Sequence, residues 1–489
     1  MLFRLGRGAA LALPVVVALA LSPALGAENE DAAPVAELGE AASPTPEKAP
    51  PLAGDAAPPI VGVGEEVSLA PEQVLPLAQA LLDQGLVDEA ENIYRSLLRS
   101  AASEDLRIEA AFQIGQILVF RGRYREAIHY FVDILNRNPD LPRVRLDLAR
   151  AYFLDGNYTD ATFQFELLKG GALPPEVIAN VDVFLDTIRR KKNWTLDFSL
   201  TPASDSNINQ VSGGRQECLD TIFGTLCRPL DKKGSGVGVN FNINFDYFKR
   251  LSQDWGLRAS AGFHAMEYSA RDYDSYILYA ALGPRYLWAS GEASLQPTFR
   301  RRWIAGREYS RETGLSLEGR RILGRLVLNA NASYGATDYD EKWVNDIFRG
   351  PLWSVSLQPR YILNDRTFVQ LGLGFLRENT RDSAYAYDGW IYSLGLYRIL
   401  PHGFSVYLEG SLIQARYHAS QWYVTKDNGL GEAVRRNDTR GLLLSLSSTR
   451  LEKYNLTPTL QYSYTRSDSN IRIWEYERNR VDLLFNLKI

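Results

Sequence analysis

The chain is poor in the residues from which reactive centres are built. It holds two cysteines and four histidines in 489 residues. The histidines, His129, His264, His402 and His418, are scattered, and none lies near Cys218 or Cys227, so no zinc-type spacing exists and no metal site is expected. There is no nucleophile elbow, and Gly62-Val63-Gly64 lacks the preceding strand and the lysine of a phosphate-binding loop. No segment approaches 18 consecutive apolar residues, which excludes a membrane-spanning helix. The net charge of −4 gives no polynucleotide footprint, so no nucleic-acid partner is expected, nor any cofactor. Mean hydropathy is slightly negative. That is no obstacle to a membrane β-barrel, whose strands alternate lipid-facing and lumen-facing residues and average out.

Period-2 alternation fills the last 300 residues. In the final stretch Val481, Leu483, Phe485, Leu487 and Ile489 share one face, against Arg480, Asp482, Asn486 and Lys488 on the other. Val237, Val239, Phe241, Ile243, Phe245 and Tyr247 alternate with Gly238, Asn240, Asn242, Asn244 and Asp246. Between Tyr276 and Trp288, aromatics bracket the apolar face as interfacial girdles do. Short turns fall near 250–254, 289–291, 323–325, 364–366, 401–403 and 452–455. Longer polar loops fall near 203–235, 269–275, 305–310, 339–350, 379–388, 418–437 and 467–478. Together they predict a transmembrane antiparallel barrel of 14 strands over 193–489, with both ends on the turn side. The count drops to 12 if the weak stretch 309–322 forms no strands, and rises to 16 if a pair is hidden.

Upstream, Arg4 and Arg7 precede an apolar run from Ala9 to Leu21 and small residues at Ala24 and Gly26, the pattern of a secretory signal peptide cleaved after Gly26. Export into an oxidising compartment makes a loop-local disulfide the expectation for Cys218 and Cys227. Residues 27–70, rich in Ala, Pro and Glu, cannot offset their ordering entropy and read as a disordered tether. From 71 to 192 the pattern is helical. Gly85–Ala90, Gly122–Ala127 and Gly156–Ala161 repeat one motif, with Tyr94, Phe131 and Phe165 four residues after each Ala. The second and third copies are 34 residues apart. With Gly115, Tyr124, Pro139, Ala149 and Tyr158 in their places, these resemble tetratricopeptide repeats, and 175–190 reads as a capping helix.

No catalytic constellation appears, and no enzyme is expected. His264 lies on the lumen parity beside Arg258, Ser260 and Gly262, where a lone histidine reads better as pore lining. Arg258, Arg285, Arg300 and Arg302 share that inward parity, with Asp246, Glu318, Glu378 and Glu409 plausible there. Charges cannot face lipid cheaply, so these line water or pair across the lumen. Arg301 takes the lipid parity near the outer rim, in reach of lipid headgroups. Asp205-Ser206-Asn207-Ile208-Asn209 imitates the start of a calcium loop, but Gln210 and Gln216 stand where Gly and Glu are needed, so a hydrogen-bonded loop is the better reading.

The whole order resembles the surface lipoprotein assembly modulator family, the outer-membrane component of type XI secretion. It runs from signal peptide and tether through three repeats to Trp194–Leu200, the stretch Ser204-Asp205-Ser206-Asn207-Ile208-Asn209, and a barrel. The chain departs from the usual barrel ending in Ile489, where an aromatic is common. The resemblance implies an outer-membrane translocator with its repeats in the periplasm, engaging cargo or a periplasmic chaperone. Its cargo would be lipoproteins or soluble haemophore-like proteins with small barrels of their own. With no nucleotide available there, movement would rest on cargo folding outside or on binding differences. A passive porin with a scaffold domain and a repeat-bearing polysaccharide exporter are the alternatives. The cysteine-bearing loop is the first candidate for a lumen plug.

Overall fold

The computed structural model describes residues 71–100, 103–212, 216–222, 224–229, 233–269, 271–424, 429–451 and 456–488. The signal peptide, the tether and Ile489 lie outside them. The described residues fall into two compact units that meet in sequence between Arg121 and Gly122.

The first unit contains α1 (Pro71–Asp83), α2 (Val87–Ser100) and α3 (Glu104–Phe120). Ala90 and Tyr94 of α2 are buried, as are Ile114, Gly115 and Leu118 of α3. The small residues let neighbouring helices approach, and Tyr94 fills the space that remains. Arg121 joins Asp88 and Glu91 at 2.5 and 2.8 Å, tying the end of α3 back to α2.

The second unit opens with α4 (Tyr124–Arg137), α5 (Pro142–Leu154), α6 (Tyr158–Leu168) and α7 (Pro175–Lys191). Ala127, Phe131, Ala149, Ala161 and Phe165 are all buried. Gly85, Gly122 and Gly156 occupy the tight turns with φ of 78°, 73° and 83°, a left-handed conformation that side chains with a Cβ resist. Asn157 caps α6 by accepting from the Asp160 amide at 3.1 Å. Tyr158 packs against Phe153, ring centres 5.8 Å apart, and the Pro139 carbonyl accepts from the buried Arg145 at 3.0 Å.

The barrel follows. Its strands are β1 (Trp194–Asp205), then, after a separate hairpin of β2 (Gln216–Thr221) and β3 (Gly224–Pro229), β4 (Gly236–Arg250), β5 (Trp255–Tyr268), β6 (Ser275–Trp288), β7 (Gly291–Ile304) and β8 (Arg307–Leu323). They continue as β9 (Leu326–Tyr339), β10 (Gly350–Asn364), β11 (Thr367–Glu378), β12 (Tyr387–Ile399), β13 (Phe404–Val424), β14 (Leu430–Ser448), β15 (Leu456–Ser469) and β16 (Tyr476–Lys488). Fourteen strands close into one antiparallel barrel, each bonded to its sequence neighbour, with β1 pairing β16 across the seam. Parity sorts the side chains as expected for a barrel in lipid. On β12, Trp390, Tyr392, Leu394 and Leu396 face outward, while Ile391, Ser393 and Gly395 are buried.

Three expected loops are shorter than their polarity suggests. The stretch 305–310 is a two-residue turn, Ala305-Gly306, with φ of 49° and 73°, and β8 starts at Arg307. Tyr309 turns inward there, its ring 5.4 Å from that of Tyr339. The stretch 418–437 is mostly strand: β13 and β14 run past the apolar band as a long ribbon, with a register shift between Arg416 and Ser420. The stretch 467–478 shrinks to a six-residue connection. Polar strand ends that rise beyond the bilayer have the composition of a loop but keep their ladder bonds. The 339–350 loop holds a short helix, α8 (Lys342–Phe348).

Candidate functional site

The turn-side mouth of the barrel is filled by its own helices. Phe165, Leu167 and Leu168 of α6, with Val181, Leu185 and Ile188 of α7, form one apolar core with barrel residues. Those are Ile322 (β8), Val327 (β9), Ile362 (β10), Phe368 (β11) and Tyr407 (β13). Polar contacts follow the turns around the rim. Arg190 donates to the Gln253 carbonyl at 2.8 Å, Arg366 pairs with Asp140 at 2.5 Å, and Thr449 bonds Asn136 at 2.8 Å. Gly170, just past α6, lies so close to β10 that an added Cβ would sit 2.6 Å from Ile362 Cγ2 and 2.8 Å from the Asn364 carbonyl carbon.

One carboxylate stands apart within this apolar contact. Glu166, 3% exposed, points from α6 into the lumen and pairs with Arg320 of β8 and, at 3.5 Å, with Arg360 of β10. A buried carboxylate is tolerated only when paired, so Glu166 ties helix position to two lumen arginines. Sequence reading missed all three. The signal was present: an acid stands on the buried face of Phe165-Glu166-Leu167-Leu168, and Arg320 and Arg360 share the inward parity of their strands.

Behind this stopper lies a lumen cavity of about 660 Å³, lined by charged and polar groups. Arg258 holds Asp246 at 2.8 Å and Glu318 at 2.6 Å, and reaches the Ser294 hydroxyl at 3.3 Å. Arg285 pairs with Glu292 and lies 4.1 Å above the Phe248 ring. Arg300 pairs with Glu312 at 3.0 Å. Arg302 donates to the Ser275 hydroxyl at 3.3 Å and stands over Tyr309. Among the described residues, the charged neighbours of His264 are Arg302 and Arg480. Glu378 accepts from Tyr387, and Glu409 from Tyr407. At the neck, loss of hydration brings the Lys192 ammonium down to about 7, with Arg285 and Arg320 adding to the effect and Glu292 opposing it. The arginines are thus mostly spent on bracing pairs across neighbouring strands. Arg301 points outward and meets Glu308 and, at 3.0 Å, Asp340.

Toward the loop end, Arg435 of β14 is buried and pairs with no acid among the described residues. It is sandwiched at 3.6 Å from the Trp474 ring centre and 4.3 Å from Tyr417, and donates to Asn437 at 3.2 Å. This brings the β15–β16 connection into the lumen. In the β2–β3 hairpin Cys218 stands opposite Cys227, and Cys227 is disulfide-bonded.

The Ser204–Asn209 stretch is a clasp on the barrel seam. Asp205, its side chain fully buried, takes a bidentate grip from Arg478 of β16 and accepts from the Asn207 amide at 3.0 Å and the Tyr268 hydroxyl at 3.3 Å. Asn207 donates to the Glu477 and Val211 carbonyls at 2.9 and 3.0 Å. The Ser206 hydroxyl accepts from the Asn479 amide at 2.8 Å, and Asn209 accepts from Gly234 at 2.8 Å. These oxygens are committed to hydrogen bonds, not to an ion. Ser204 sits in the ladder opposite Val481. Among the described residues, no group of three or more His, Cys, Asp and Glu is placed to hold a metal.

Residues 194–488, the barrel from its first strand through its last, match the model of the family described as surface lipoprotein assembly modifier. The chain belongs to that family. Residues 121–169 match a tetratricopeptide-repeat model. A surface lipoprotein assembly modifier of Pasteurella multocida (strain Pm70) is 25% identical over 75% of this chain and 74% of its own length. Surface lipoprotein assembly modifier 2 of Haemophilus influenzae (strain Rd) is 24% identical, over 74% of each chain. Among solved structures, a loop-deletion mutant of the Vibrio cholerae outer-membrane protein OmpT covers 60% of this chain and 99% of its own. Its 8% identity and TM-score of 0.32 are too loose to argue from. As a closed 14-stranded barrel of the surface lipoprotein assembly modifier family, the protein is an outer-membrane one.

Proposed function

We propose that the protein moves particular lipoproteins, or soluble small-barrel proteins, from the periplasm to the cell surface. The helices lie on the periplasmic side and receive cargo or a chaperone that delivers it. The observation that carries this reading is the stopper: α6 and α7 occupy the mouth through an apolar contact and a single buried carboxylate. A passive porin gains nothing from a mouth filled by a protein-interaction repeat, whereas a translocator needs its route closed until cargo engages. Cargo binding to α4–α7 that competes with this docking shifts the equilibrium toward an open mouth, by as much as its preference for the undocked helices. The lumen, polar and braced by ion pairs, then offers an extended chain a wet path.

The test is removal of the protein from the cell, followed by protease treatment of intact cells. One or a few lipoproteins should stay in the envelope yet become protected from protease. Retention of every surface protein together with reduced small-solute uptake would overturn the reading in favour of a porin.

A further inference from the structure

The outward-facing charges of the barrel differ between its two rims. On the loop side several are neutralised by a neighbour: Arg377 pairs with Asp388 at 2.6 Å, Arg416 with Asp438 at 2.7 Å and Arg466 with Asp468 at 2.9 Å. On the turn side Lys249 is the last outward-facing residue of β4, Arg321 stands on the outward face of β8 two residues before its end at Leu323, Arg325 stands in the next turn and Arg398 is the last outward-facing residue of β12. All four are exposed, and none has a carboxylate within ion-pair distance among the described residues. Arg325 makes only long contacts, 3.4 and 3.5 Å, to the Leu363 and Gly171 carbonyls.

The cations stand at the end of, within or beside apolar columns, Arg321 between Leu317 and Leu323. Phe245 and Tyr247 lead to Lys249, Leu394 and Leu396 lead to Arg398, and Tyr361 and Leu363 flank Arg325. This is the level at which the bilayer changes from hydrocarbon to phosphate, and long basic side chains there extend toward the headgroups. Unneutralised cations at that level call for an anion, and the membrane supplies one as phosphodiester.

We propose that Lys249, Arg321, Arg325 and Arg398 form a collar that binds anionic glycerophospholipid headgroups of the phosphatidylglycerol class, while the ion-paired loop-side rim does not. That the leaflet is the inner one rests on the orientation given under the proposed function. The headgroup preference does not, so the two ideas fail separately.

The experiment uses the full chain in phosphatidylethanolamine vesicles with and without phosphatidylglycerol. Relative association of spin-labelled phosphatidylglycerol and phosphatidylcholine is measured. The variant Lys249→Gln/Arg321→Gln/Arg325→Gln/Arg398→Gln is compared with the loop-side variant Arg377→Gln/Arg416→Gln/Arg466→Gln. A basic residue beside an anionic surface is worth roughly a fivefold preference. The collar variant should therefore lose at least about fivefold at the collar sites, and raised salt should weaken the unsubstituted protein in the same direction. The loop-side variant should keep its preference. An unchanged collar variant, an unsubstituted protein with no preference, or an equal loss in the loop-side variant would each overturn the proposal. If the fourfold variant fails to show the heat-modifiable mobility of a folded barrel, Arg321→Gln/Arg325→Gln and Lys249→Gln/Arg398→Gln replace it. Each should lose part of the preference, and no loss in either refutes the collar.

Discussion

Replacing Glu166 by Gln is the sharpest perturbation of the stopper. The substitution keeps size and removes only the charge, leaving Arg320 and Arg360 facing a neutral amide in the mouth. Removing one partner of a buried ion pair costs about 3–5 kcal/mol, chiefly because the remaining charge is stranded. Arg320 keeps a third of its side chain exposed and Arg360 a tenth, so water offsets part of that cost and the lower end applies. A loss of about 3 kcal/mol raises the undocked fraction by roughly 100-fold. The apolar contact of α6 and α7 with the rim remains, so the closed state should still dominate, and the effect is on how often the mouth opens. In planar bilayers the full chain should show rare large openings, and Glu166→Gln should make them roughly 100-fold more frequent without changing their conductance. Glu166→Gln/Arg320→Gln should recover part of the closure, because one stranded charge is gone. Equal opening frequencies in the parent and Glu166→Gln would refute the view that this carboxylate holds the helices in place.

Gly170→Val should open the mouth by a steric route, since its side chain would meet the Asn364 backbone at under 3 Å; limited proteolysis across 169–174 should accelerate. Asp205→Asn should weaken the seam clasp by about 3 kcal/mol, as Arg478 loses its buried partner; the folded band on unheated SDS gels should convert at a lower temperature, and unchanged conversion would count against the clasp. Burial raises the Asp155 carboxyl above its ordinary range despite Arg125 at 3.4 Å. Its charge therefore costs stability as pH rises from the unfolded carboxylate value through the raised one. Asp155→Asn should raise the helical melting temperature slightly at pH 7 and change nothing well below pH 4, measured by circular dichroism.

Residue alternation alone determined the barrel, its even strand number and the side on which both ends lie, because period 2 is a local property that no partner is needed to reveal. The repeats were legible for a similar reason: Gly85, Gly122 and Gly156 mark turns that need positive φ, and Ala90, Ala127 and Ala161 mark close helix approach. Strand ends were misjudged at 305–310 and 418–437, since ladder bonds there are made by backbone atoms that composition does not record. What only tertiary structure decided is what meets what. Asp205 and Arg478 are 273 residues apart, and Glu166 and Arg320 are 154 apart. No window of sequence joins them, so a stretch that read as a loop is the clasp of the seam, and an acid within an apolar run is the tie that holds the stopper.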